Sequence, residues 1–131
     1  MCLTISVELE GVDESGLRSI VEGWPEPSLV FRAEGKGFRG RHQPRLTLHA
    51  CGLLSDAADW NAATWAMTPE GIKSLTDLWV HLFERVSGDV TVQALWEGDL
   101  PKVDQAVTRA EFMDLVGKGA LGTKTRYLVQ A

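Results

Sequence analysis

The stretch TPEGIKSLTDLWVHLFERVSGDVTVQALW, residues 68–96, changes its hydrophobic period once, and that change decides the fold class. In its first part Ile72, Leu75, Trp79, Leu82, Phe83 and Val86 recur at the spacing of one helical face. Thr68 can cap this helix and Pro69 suits its first turn, where a missing N–H costs nothing. Ser87, Gly88 and Asp89 then break the pattern, and Val90, Val92, Ala94 and Trp96 alternate with Thr91, Gln93 and Leu95, the two-residue period of a half-buried strand.

On the N-terminal side, residues 3–9 alternate in the same way, with Leu3, Ile5, Val7 and Leu9 facing one way. Asp13 caps a short helix to about Trp24, stopped by the prolines at 25 and 27. Residues 28–34 and 45–51 read as two strands joined in a long hairpin. On the C-terminal side, Thr108 and Glu111 fit a capping box, with Val107 and Phe112 as its hydrophobic staple. That helix ends near Gly117 or Gly119, and residues 123–129 read as a last strand. The expected order is β-α-β-β-α-β-α-β in a single α+β domain spanning 1–131. Its first six elements match a ferredoxin-like split β-α-β core, a mostly antiparallel sheet with helices on one face, followed by a C-terminal α-β extension.

Composition narrows the class of function. The chain has 131 residues, enough for one core, and its 44% apolar content is that of an ordinary globular protein. It contains no apolar run of membrane-spanning length, and MCLTISVELE lacks the basic start and continuous apolar stretch of a signal peptide, so a cytoplasmic protein without membrane association is expected. A net charge of −5 makes nucleic acid an unlikely partner. The average hides a local exception: Arg32, Lys36, Arg39, Arg41 and Arg45 lie within fourteen residues that hold one acid, Glu34.

Chemistry-bearing residues concentrate in HACGLLSDAADWNAATW, residues 49–65. If the strand continues to 51, His49 and Cys51 share a face about 7 Å apart, too far for a direct thiol–imidazole hydrogen bond. Asp56 and Asp59 are of a type to act as an acid–base pair or, more simply, to cap a short helical turn. No zinc-type spacing joins these groups, so neither metal nor cofactor is expected. Trp60 and Trp65 suit either anchors that pin the long 52–67 connection or walls of a ligand pocket, with Arg126 steering an anion toward them. GKGFRG, residues 35–40, carries the letters of a dinucleotide fingerprint without the helix that must follow, since Pro44 and a strand come next. A basic arm is the better reading, with Lys36, Phe38, Arg39, Arg41 and Arg45 holding an anion or an acidic partner.

Together these features predict a small binding domain, monomer or homodimer, that engages a protein partner or a small anionic ligand through the 52–67 loop and the 35–45 arm. Two other readings stand beside it. One is a thiol- or carboxylate-based enzyme using Cys51, His49, Asp56 and Asp59. The other is weak nucleic-acid binding through the arm.

Overall fold

The computed structural model describes residues 3–24, 31–34, 45–55, 58, 62–96 and 98–131, with the side chains of 31–34 and of Cys51 outside this set. Among the described residues six strands form one sheet: β1 (Leu3–Leu9), β2 (Phe31–Glu34), β3 (Arg45–His49), β4 (Val90–Trp96), β5 (Val103–Thr108) and β6 (Thr125–Gln130). Their spatial order is β2-β3-β1-β4-β6-β5. Every pairing is antiparallel except that of β5 with β6. The described residues also form three α-helices: α1 (Glu14–Glu22), α2 (Pro69–Arg85) and α3 (Arg109–Gly117).

Local signals fix the helix starts. The Asp13 carboxylate accepts from Gly16 N at 2.8 Å, and Thr68 Oγ1 accepts from Gly71 N at 3.0 Å. At α3 the capping box is complete, with Thr108 Oγ1 accepting from Glu111 N at 3.1 Å and Glu111 Oε1 accepting from Thr108 N at 3.0 Å. Each satisfies amides that the first helical turn leaves without partners.

The helices lie on one face of the sheet. Phe112 of α3 meets Trp79 of α2 edge-on at 5.1 Å and Tyr127 of β6 at 5.7 Å, which ties both helices to the strand face carrying Val90, Val92 and Val129. Trp24, just past α1, packs edge-on against His81 of α2 at 5.2 Å. His81 Nε2 lies 3.1 Å from Ile20 O, and since a carbonyl only accepts, Nε2 carries the hydrogen and donates to the end of α1. Leu3, Ile5, Val7 and Leu9 of the central strand β1 are fully buried beneath this layer.

Two expectations are corrected. The third strand stops at His49 rather than 51: Ala50 N still bonds to Leu3 O at 2.8 Å, after which a 3₁₀ turn, Cys51–Leu53, takes over, closed by Leu53 N to Ala50 O at 3.1 Å. His49 and Cys51 therefore do not continue one strand alternation. The second correction is β5, which adds a strand before the last helix. It is an edge strand in which only Val107 is buried, so its residues lack the alternation that marks β1 and β4. Strands β5 and β6 run parallel, and α3 is the crossover that parallel neighbours require. The other boundaries move by one or two residues, and residues 28–30 of the expected second strand lie outside the described set.

Candidate functional site: the open face of the sheet

With α1, α2 and α3 on one side, the opposite face of the sheet carries Thr4, Ser6 and Glu8 of β1, Arg45, Thr47 and His49 of β3, and Thr91, Gln93 and Leu95 of β4. Register arranges them in rows. His49, Thr4 and Leu95 are cross-strand neighbours, as are Thr47, Ser6 and Gln93, and then Arg45, Glu8 and Thr91. Ser6 and Thr47 are only 9% and 7% exposed although they belong to this face. The hydroxyls of Thr4 and Thr47 are buried and, among the described residues, have no hydrogen-bond partner. Leaving a buried hydroxyl unpaired costs about 1–3 kcal/mol, which marks the face as unusual for a merely solvated surface.

A cavity of about 350 Å³ opens here, lined by Thr4, Ser6, Arg45, His49 and Gln93 on its floor and by Leu95, Trp96 and residues 98–101 along one side. The side wall is built by a tight turn. Asp99 N bonds to Trp96 O at 2.9 Å, Gly98 takes φ +82°, and Asp99 Oδ1 accepts from Leu100 N at 3.0 Å. A positive φ at the third position of such a turn suits glycine, so the sequence Gly98-Asp99 sets the wall's direction. A second cavity, about 240 Å³, lies between the 3₁₀ turn and the start of α2, lined by Ala50, Gly52, Leu53, Thr68, Glu70, Gly71 and Ser74. His49 lines both cavities.

Of the residues singled out in the sequence, the structure brings Arg45 and His49 to the sheet cavity. Cys51 is placed only as the first residue of the 3₁₀ turn. Asp56, Asp59 and Trp60 lie outside the described residues, as do Lys36, Phe38, Arg39 and Arg41 of the arm. Trp65 is 1% exposed, its indole N–H donates to Ala94 O at 2.9 Å, and its ring lies 4.5 Å from that of Trp96. This is an anchor and not an open pocket wall. Arg126 is held by a two-pronged ion pair with Asp104, Nε to Oδ1 at 2.9 Å and Nη2 to Oδ2 at 2.8 Å. Its guanidinium ties β6 to β5 across the parallel pairing. Among the described residues no group of three or more His, Cys, Asp or Glu side chains converges as metal ligands would, and no helix is long and apolar enough to cross a membrane.

Sequence reasoning missed Thr4, Ser6, Gln93, Leu95, Leu100 and Pro101. They come from three segments that meet only through sheet register. The available signals were weak: two hydroxyls on the outward side of the first strand, and a leucine–proline pair in a polar turn. Comparison with known protein families, with curated proteins and with solved structures finds no match to this chain.

Proposed function

We propose that this protein is a small binding domain whose site is the cavity on the open sheet face, and that its ligand is a small anion. The carrying observation is the composition of the cavity floor. Arg45, His49, Thr4, Ser6 and Gln93 all offer hydrogen-bond donors, with one cation among them. Asp99 is the one acid among the described residues of the lining, and its Oδ1 accepts from a backbone amide. Sites of this kind combine a concave surface with a few convergent polar groups. Arg45 is also the last residue of the basic stretch that begins at Arg32. The strand order β2-β3-β1-β4 supports reading the first six elements as a ferredoxin-like split β-α-β core, in which one sheet face stays free of helices.

An amide NMR titration with inorganic phosphate and with acetate tests the proposal. The expected result is a saturable set of shifts confined to Thr4, Ser6, Arg45, His49 and Gln93, weakened about tenfold or more in Arg45→Gln and weakening as salt rises. Unsaturable shifts, or shifts spread over other faces, would remove the cavity from consideration.

A further inference from the structure

The two sides of the sheet cavity differ in chemistry. On β3, Arg45 stands beside Glu8 across the strand pairing. On β4 and the turn that follows it, the lining includes Gln93, Leu95, Leu100 and Pro101, and Asp99 is the one charged side chain among the described residues there. An oxyanion at this end would meet the charge of Asp99 with no cation beside it, so the β4 side suits an uncharged group.

Three apolar side chains line this side and none of them belongs to the apolar core cluster. Leu100 is 75% exposed. A lone surface leucine needs no explanation, but this one stands beside Leu95 and Pro101 on a fixed turn. Asp99 N bonds to Trp96 O at 2.9 Å, Gly98 takes φ +82°, and Asp99 Oδ1 accepts from Leu100 N at 3.0 Å. The wall therefore holds its shape without a ligand, which lowers the ordering cost of packing an apolar group on it.

Gln93 supplies the polar contact. It shares the open face of β4 with Leu95, two residues and so roughly 7 Å away. Its carboxamide has no hydrogen-bond partner among the described residues. A carboxamide presents a donor and an acceptor side by side, and a second carboxamide matches both at once.

We infer that the β4 side of the cavity is a second subsite, for an uncharged aryl carboxamide whose ring packs on Leu95, Leu100 and Pro101 while its amide exchanges hydrogen bonds with Gln93. An amide attached directly to a six-membered ring suits the spacing of Leu95 and Gln93. The subsite draws on neither Arg45 nor His49, so it goes beyond the anion reading and stands or falls separately from it.

Amide NMR titration with defined probes tests it: benzamide as the complete group, acetamide as the amide without the ring, and benzoate as the anion of the same shape. Benzamide is expected to give saturable shifts centred on Gln93, Leu95 and Leu100, with an affinity about tenfold or more above acetamide and above benzoate at those residues. Leu100→Ser, at an exposed position outside the core, is expected to weaken benzamide severalfold. Gln93→Met keeps the length of the side chain and removes the amide, and is expected to do the same. Phosphate titrated into the same variants reads the anion site independently. Benzamide shifts that do not saturate, binding no better than that of acetamide or benzoate, or benzamide affinity unchanged in either variant overturns the subsite, whatever phosphate does.

Discussion

The Trp65 indole joins three parts of the molecule: its ring packs on Trp96, its N–H reaches Ala94 O on β4, and its own backbone N–H bonds to Leu121 O at 2.9 Å. Trp65→Phe keeps most of the apolar area and removes the donor, so a loss of about 1–3 kcal/mol is expected in urea unfolding, against about 3–5 kcal/mol for Trp65→Ala. Equal losses would mean that the hydrogen bond, and not the ring, carries the anchor. Arg109 does comparable work at the other end of the core. Its guanidinium donates to Phe83 O, Val86 O and Gly88 O at 3.0, 2.7 and 2.9 Å, and stacks over the Phe83 ring at 4.9 Å. It collects carbonyls at the C-terminal end of α2 and, with Gly88 O, just beyond it, where a cation also suits the helix dipole. Arg109→Met should cost about 3 kcal/mol, and Arg109→Lys should recover little of it, because one ammonium cannot reproduce the planar fork. A hint of this role was present in the sequence, since a cation in the first turn of its own helix runs against the dipole. Which carbonyls it serves depends on residues more than twenty positions away.

Among the elements, the start of α2 is closely packed against the 3₁₀ turn. A Cβ placed on Gly71 would stand 2.6 Å from Leu53 O, a backbone atom of the 3₁₀ turn that also accepts from Thr68 N at 3.0 Å. Neither partner is a flexible side-chain end that can swing away. In a free helix Gly→Ala is favourable by propensity; here Gly71→Ala should instead destabilise by about 1–3 kcal/mol, measured by thermal or urea unfolding. A neutral or stabilising result would show that the turn shifts without cost. Strand β5 is the element whose existence depended on tertiary pairing. Val103, Asp104, Gln105 and Ala106 are exposed, and the strand is held by its parallel pairing with β6, by the Asp104–Arg126 ion pair and by Val107 in the core. The capping box at α3 was readable because all of its groups lie within four consecutive residues, whereas the partner of β5 lies some twenty residues further along.

For the whole molecule, one apolar cluster runs from β1 through the three helices to β6. Its centre is the pair β1 and β4, which have strands on both sides, while β5 has a neighbour on one side only. Native-state hydrogen exchange should therefore protect β1 and β4 amides to near the global unfolding free energy and release β5 amides at a lower one; uniform protection across the sheet would show that β5 opens only when the whole domain does. By itself the sequence determined the α+β class, the helix starts at Asp13, Thr68 and Thr108, and the alternating strands at each side of the core, because period and capping are properties of neighbours along the chain. It also pointed to Arg45 and His49 as chemistry-bearing residues. Only the tertiary structure decided that Trp65 is spent on the core and Arg126 on Asp104, and that Thr4, Ser6, Gln93 and Leu100 share a cavity with Arg45. Those groupings follow from strand order and register, which join segments up to ninety residues apart through hydrogen bonds that no local pattern encodes.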